Sequence, residues 1–459
     1  MKISAKPFIS FILILCLCLS LSFSVYAEDE TQASEETSSE EETREETEEE
    51  SSASSDEWPE APELISGSAL VVDMTTGAVL FDQESDEKIY PASTTKLLTC
   101  LIALEYCSLD EIVTFSAEAV DLVNASSIDA VEGEEMVLED VLYGLMLPSG
   151  NDCANAIAEH ISGSISAFAE LMNEYAESLG CTSTHFTNPS GTYDTDHYTT
   201  AQDMYLIAQA AFSNSTLVDI ISHTTYTIAA TNLSEEREIS TTNAMITSSS
   251  EYYNSSVIGG KTGYTSQAGR ALVILSEQDN MKLVCLFFDC ADYTGVFEDA
   301  QNLLDYVYDN FSIINISQEE IRFSSSFEDA KVELDSTDSI VIPNTMSLSD
   351  LDFEIIFATD MGAEEFGEAK LDAGITTQDG RHLYASIEYY YDGNYLGNVY
   401  VVINDNLEIA ASSMANIYYV NFGWAIAAAI LALAVMAAVI KLAAVRRKRL
   451  RKLKFSSRR

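Results

Sequence analysis

The chain has 459 residues, 47% of them hydrophobic and 10% aromatic, which suits one large folded domain plus a smaller second one and excludes a chain disordered throughout. The formal net charge is −51, from 23 Lys and Arg against 74 Asp and Glu. Such a balance speaks against nucleic acid as a partner, because phosphate binding wants Lys/Arg surfaces.

Lys2 and Lys6 precede an apolar run from Phe8 to Phe23, and SVYA then places Val25 and Ala27 in the small-residue pattern of a signal-peptidase site. Residues 1–27 are therefore expected to be a signal peptide, cut after Ala27. Cys16 and Cys18 each follow a leucine, which disfavours a lipoprotein anchor. Residues 28–57 are nearly all Glu, Ser and Thr. They cannot bury enough apolar surface to offset the entropy of ordering, so a disordered acidic linker is expected.

Residues 58–315 carry the patterns of a first folded domain. SALVVDMTTGAVLFDQ, Ser68 to Gln83, is two β-type runs around a TTG turn. STTKLLTCLIALEYC has the apolar spacing of a helix with one buried side. Further helices are expected in LEDVLYGLML, NDCANAIAEHI, ISAFAELMNEYAESLG and TTAQDMYLIAQAAF, and strands in SSVIGGKTGYT, RALVILSE and MKLVCLFFDC. TGVFEDAQNLLDYVYDNF reads as a closing helix. The sum is an α+β or mixed α/β sheet covered by helices.

From 316 to 408 short β-type runs broken by Asp, Gly and Pro predict a small all-β domain that spaces the first domain from a membrane. Residues 422–445 are apolar over more than the roughly 20 residues a bilayer crossing needs, with Lys441 the interruption. Residues 446–459 form a Lys/Arg cluster of the kind that stays in the cytoplasm. A single transmembrane helix is expected, with the folded part outside the cell.

Outside the signal peptide stand Cys100, Cys107, Cys153, Cys181, Cys285 and Cys290. An even number outside the cell permits disulfides, with 15 possible pairings. There is no CxxC and no HExxH, so no metal is expected. Cys100 and Cys107 fall on one helical stripe, where a buried thiol is the commoner reason for a cysteine.

Three short motifs could carry chemistry. In PASTTKLLTC, Ser93 and Lys96 stand at i and i+3 and share one face of a helix. A serine hydroxyl is a poor nucleophile until its proton is taken, and a desolvated or cation-crowded lysine can take it. A helix cap explains the same serine, and SDEK, Ser85 to Lys88, repeats the spacing on what reads as surface. In LMLPSGNDC, Ser149 and Asn151 stand in a Pro/Gly turn between helices, and in IGGKTGYTSQAG, Lys261, Thr262 and Gly263 stand in a strand whose glycines allow a ligand to approach.

Taken in order, STTK, SGN and KTG resemble the signature of the serine D-alanyl-D-alanine carboxypeptidases, low-molecular-mass penicillin-binding proteins of the penicillin-binding protein 5 group. The resemblance extends through ALVVDMTTGAVLF, VLEDVLYGLMLPSGNDCANAIAEH, HFTNPSGTYDTDHYTTAQDM and GGKTGYTSQAGRALV, from about Glu63 to Phe311. It implies a serine β-lactamase/transpeptidase-like fold and no cofactor. Ser93 would attack the carbonyl between the terminal D-alanines of a peptidoglycan stem peptide, with Lys96 as base. Ser149 would relay a proton to the leaving amine, and Asn151 would hold the peptide and position Lys96. Lys261 and Thr262 would attract the terminal carboxylate, and the N–H groups of Ser93 and Tyr264 would form the oxyanion hole. β-Lactams would be covalent inhibitors.

Some relatives carry an arginine upstream of the KTG strand, but no Lys or Arg stands between Glu238 and Gly260 here. His197 lies in a family-like segment and reads as structural, and no GxSxG accompanies the scattered histidines. A class A β-lactamase would need a glutamate between the second and third motifs, and HFTNPSGTYDTDHYTT has none. Endopeptidase or transpeptidase action, and a non-catalytic wall-peptide or β-lactam sensor, complete the alternatives.

Overall fold

The protein is described from a computed structural model, which covers residues 58–121, 126–320, 332–357, 369–371, 374–376 and 382–403. The expected signal peptide, acidic linker, transmembrane helix and basic tail lie outside these residues, as does part of the expected β domain. Among the described residues no helix is long and apolar enough to cross a membrane.

Strands β1 (Ser68–Asp73) and β2 (Val79–Gln83) form the expected hairpin. Next come a single 3-10 turn, Ala92–Thr95, and helix α1 (Lys96–Tyr106). A small hairpin, β3 (Ile112–Thr114) with β4 (Glu135–Val137), brackets the one-turn α2 (Ala117–Val120). Helices α3 (Leu138–Met146), α4 (Asn151–Ser162), α5 (Ile165–Ser178), α6 (Ala201–Ser213) and α7 (Ser215–Ser222) follow. A second small hairpin, β5 (Thr225–Ile228) with β6 (Arg237–Ser240), precedes β7 (Val257–Thr265), β8 (Gly269–Gln278), β9 (Met281–Cys290) and α8 (Gly295–Asn310).

The central sheet runs β2-β1-β9-β8-β7, every neighbour antiparallel. Its middle strand explains the layering. Val284, Leu286 and Phe288 of β9 bury into one core with α1 and the helical block, while Leu283, Cys285 and Phe287 bury into another beneath α8. Both faces are covered, so LVCLFF, Leu283 to Phe288, reads as an unbroken apolar run instead of an alternating one. The turn between β8 and β9 places Asp279 and Asn280 at positive φ, 51° and 68°, the conformation a tight hairpin requires and Asp/Asn tolerate.

Helix α1 departs from expectation. Lys96 to Ala103 are all buried, so its first two turns are enclosed on every side instead of one. A helix apolar all round belongs inside a core, and here the sheet and its neighbouring helices supply that core. The helix starts are set by side chains that accept from free N–H groups: Ser164 from Ala167, Thr200 from Asp203, and Asn214 from Thr216 and Leu217. Helix α4 stops at Gly163, whose φ of 79° gives the left-handed turn.

In the C-terminal region β10 (Phe311–Asn315) leads to the one-turn α9 (Ile316–Glu319), then β11 (Val332–Leu334), β12 (Ser339–Pro343), β13 (Asp352–Phe357), β14 (Ala369–Leu371), β15 (Gly374–Thr376), β16 (His382–Tyr391) and β17 (Asn394–Ile403). The longer sheet runs β11-β17-β16-β15-β14, with β13 also on β16. Strand β10 pairs with β12, so the pairing begins ahead of residue 316. Ile340, Ile387, Tyr389 and Val399 form a separate core there.

Candidate active site

Ser93 stands in the 3-10 turn that precedes α1. Three residues make one turn of such a helix, so positions i and i+3 lie one above the other. That geometry brings Lys96 Nζ to 2.9 Å from Ser93 Oγ. Ser93 caps nothing: no side-chain cap bond serves either the 3-10 turn or α1. Its other near neighbour is the Ser190 carbonyl oxygen, 3.5 Å from Oγ. The SDEK repeat behaves differently. Ser85 is buried, against the surface reading, and donates to Asp82 while Lys88 lies over the Tyr198 ring.

Lys96 is wholly buried, and its Nζ also donates to Asn151 Oδ1 at 2.7 Å and to the Ser190 carbonyl at 2.6 Å. Burial holds its pKa well below the ordinary lysine value, and the Lys261 ammonium pushes the same way. A neutral amine has two N–H donors and one lone pair. With two carbonyl oxygens claiming the donors, the lone pair is left facing the Ser93 hydroxyl.

The surrounding loops exist to hold this arrangement. Asn188 Oδ1 accepts from the N–H groups of Ser190, Gly191 and Thr192, which fixes the Ser190 carbonyl against Lys96. Gly191, with φ 79°, lets that loop lie on the serine's own turn: a Cβ there would stand 1.7 Å from the Ala92 carbonyl oxygen. Ala92 itself has a positive φ of 47°, a strained conformation next to Ser93. His197 is structural, as expected. The Thr187 N–H donates to its Nδ1, so Nε2 carries the hydrogen and donates to Thr95 Oγ1 at 2.9 Å. Burial lowers its pKa to about 4, keeping it neutral.

Asn151 opens α4 instead of lying in the turn, and its N–H donates to the Ser126 carbonyl. The next residue, Asp152, pins the facing loop through Ser127 Oγ and the Ile128 and Ala130 N–H groups. Ser149 is at φ 69°, and its hydroxyl is buried without a hydrogen-bond partner. An unpartnered buried hydroxyl is costly, and this one is on the wall of a cavity where a ligand can satisfy it.

Strand β7 closes the site from the other side. Gly263 packs so tightly on the serine's turn that a Cβ would be 3.1 Å from Ser93 N and from the Pro91 carbonyl oxygen. Thr262 Oγ1 bonds Thr242 Oγ1. Lys261 is 1% exposed and donates to the Thr262 carbonyl. Burial alone lowers its pKa to about 7.

The cavity has a volume of about 620 Å³, and Ser93, Ser149, Asn151, Thr262, Tyr264 and Arg270 are on its walls. Arg270 is the residue that sequence reasoning missed. Its guanidinium lies 4.2 Å from the Tyr264 ring centroid and 4.0 Å from that of Tyr293, between two exposed tyrosines. Neither ion pair among the described residues involves it. The signal was available in the hairpin: folding KTGYTSQAGR about its turn sets Arg270 opposite Tyr264.

The sequence profile of the peptidase family S11, D-alanyl-D-alanine carboxypeptidase, matches residues 55–291, just over half of the chain. The chain belongs to this family. Among family relatives, D-alanyl-D-alanine carboxypeptidase DacF of Bacillus subtilis is 30% identical over 249 residues, covering 53% of this chain and 62% of that protein. D-alanyl-D-alanine carboxypeptidase DacB2 of Mycobacterium tuberculosis is 31% identical over 220 residues, 47% of this chain and 72% of that one. The chain thus spans a little under two thirds of the Bacillus relative's length. The crystal structure of the Streptomyces K15 DD-transpeptidase superposes with a TM-score of 0.52 at 27% identity, covering 55% of this chain and 100% of that one. The α/β fold is therefore that of the DD-peptidases. All six cysteines among the described residues are free thiols, so none of the 15 disulfide pairings is formed.

Proposed function

We propose that this family member is a serine D-alanyl-D-alanine carboxypeptidase, which removes the terminal D-alanine from peptidoglycan pentapeptide stems through an acyl-enzyme and is acylated by penicillins. The observation that carries the proposal is the buried amine of Lys96, 2.9 Å from Ser93 Oγ and oriented by two carbonyl oxygens at the edge of an open cavity. Ser93 Oγ forms a bond to the penultimate D-alanine carbonyl carbon while its proton passes to Lys96. The Ser93 and Tyr264 N–H groups receive the developing oxyanion, each such donor being worth about 3 kcal/mol. The C–N bond then breaks, the unpartnered Ser149 hydroxyl relaying the proton to the departing amine, and water hydrolyses the ester.

In this reading the terminal carboxylate docks on Thr262 and on Arg270, the cation at the cavity wall, while Lys261, on the strand face that meets the serine's turn, adds its charge from within the core. A charge-assisted contact contributes about 1.5–3 kcal/mol. Arg270→Gln is therefore expected to lower kcat/KM for a peptide ending in D-Ala-D-Ala by about 10- to 100-fold, mostly through KM. A peptide with a C-terminal amide should show no such loss, and an equal loss for both peptides would remove the carboxylate role.

The reading extends to the regions outside the described residues. The 1–27 pattern supports export with signal cleavage, the 422–445 run a single membrane anchor, and the strands after Phe311 a spacer that carries residues 58–315 on the outer side of the cell membrane. The Streptomyces similarity favours a second outcome, transfer of the same acyl group to an amine. The deciding experiment incubates the purified chain with a D-Ala-D-Ala pentapeptide, with and without an acceptor amine. Release of free D-alanine over many turnovers without acceptor is expected. Acylation with no release would leave a penicillin and wall-peptide receptor, and release that depends on the acceptor would make it a transpeptidase.

A further inference from the structure

On the far side of the helical block, Cys107, Glu111 and His160 converge. Cys107 is the C-terminal cap of α1, Glu111 lies in the loop entering β3, and His160 is in the last turn of α4. Their ligand atoms all lie within 4.8 Å of one another, and each residue is partly buried. His160 Nε2 and Glu111 Oε2 are 3.1 Å apart. Around tetrahedral zinc, ligand atoms stand about 3.3–3.6 Å apart, as bond lengths of about 2.0–2.3 Å require. The nitrogen and oxygen are already near that spacing. The sulfur reaches it by moving on the order of an ångström, within the reach of a partly exposed side chain.

The backbone holds the cluster in place. Cys107 N–H donates to the Ala103 carbonyl, and Leu138 N–H to the Glu111 carbonyl at 2.8 Å. Ser108 N–H donates to Glu111 Oε1 at 2.7 Å, which occupies one carboxylate oxygen and leaves the other for a ligand. Thiolate, imidazole and carboxylate together form a set that suits zinc better than magnesium or calcium, which take oxygen alone.

We propose that Cys107 Sγ, Glu111 Oε2 and His160 Nε2 bind one zinc-class divalent cation, with water as the fourth ligand. On binding, the thiol proton leaves to solvent, the Nε2 hydrogen that meets Glu111 Oε2 is given up, and the neutral imidazole carries its one hydrogen on Nδ1 so that Nε2 bonds the metal. The consequence concerns the active site at a distance. Helix α1 begins at Lys96 and α4 at Asn151, and the metal joins the opposite ends of these two helices, about 14–16 Å away at 1.5 Å per residue. It would act as a structural clamp on the pair that carries the Lys96–Asn151 contact. The sequence expectation of no metal rested on the lack of CxxC and HExxH spacing, which Cys107 and Glu111, four residues apart, and the distant His160 do not share.

The test uses the purified full chain, cobalt(II) as a spectroscopic probe and zinc(II) as competitor, in a non-thiol reductant. The expected result is one cobalt per chain with a thiolate-to-cobalt charge-transfer band, displaced by zinc. Cys107→Ser should remove that band, and His160→Gln should weaken cobalt binding at least about tenfold. Penicillin acylation of the metal-free variants, unchanged from metal-free wild type, establishes that they are folded. No charge-transfer band in wild type, or a band that persists in Cys107→Ser, would overturn the assignment.

Discussion

Ser93→Ala is expected to abolish covalent labelling by a fluorescent penicillin and to stop D-alanine release, while the protein stays folded. The loss should be complete for labelling, because no acyl bond can form on a methyl group. The fold should survive because Ser93 Oγ touches little: Lys96 Nζ at 2.9 Å and the Ser190 carbonyl at 3.5 Å. Lys96 keeps its bonds to Asn151 Oδ1 and Ser190 in the variant, so its buried nitrogen is not orphaned. A net cost of about 1 kcal/mol follows from losing one such hydrogen bond, a shift of a few degrees in the melting temperature. Mass spectrometry of the penicillin adduct and a thermal melt check both halves. An adduct on another residue of the variant, for instance Ser149, would assign the nucleophile elsewhere.

The sequence made that pair legible because it is local. The S-x-x-K spacing places a hydroxyl and an amine on one edge whether the turn is α or 3-10, so the expectation survived the finding that Ser93 precedes α1 in a 3-10 turn. The central sheet was legible for a related reason. A short apolar run such as LVCLFF, rich in β-formers and bounded by a turn, fits a strand covered on both faces. What escaped was whatever depends on pairing in space. The third partner of Lys96 is a backbone carbonyl, Ser190, with no side-chain signature at all. Arg270 sits nine positions after Lys261 in sequence but opposite Tyr264 in the hairpin, so a search upstream of the KTG strand passed it by. Helix α7 was missed because it is only eight residues long; its buried Leu217, Ile220 and Ile221 do stand at helical spacing, and the Asn214 side chain supplies its start. The burial of Lys261 was not legible either: alternation along β7 turns it and Gly263 toward the interior and leaves Tyr264 facing out.

Lys96→Arg should cost about 100- to 10,000-fold in the rate of Ser93 acylation, the range for removing a general base. Arginine keeps a cation and N–H donors for Asn151 Oδ1 and the Ser190 carbonyl, yet it does not give up its proton in a protein. The substitution therefore separates two roles. If Lys96 served only as a fixed positive charge beside the serine, arginine would retain most of the rate, and a loss below about tenfold would sink the base assignment. The pH profile makes the same distinction in wild type. The neutral amine is the active form, and burial together with the Lys261 charge lowers its pKa, so the rising limb of kcat/KM must lie well below the ordinary lysine value of 10.5. Lys261 contributes with the opposite sign. Its ammonium favours a carboxylate, and that charge is lost in the free enzyme as pH rises through about 7. The expected profile is a bell for peptides with a free C-terminal carboxylate. With a C-terminal amide the falling limb should disappear and the rising limb remain, because the amide does not need the Lys261 charge whereas the serine still needs the Lys96 lone pair.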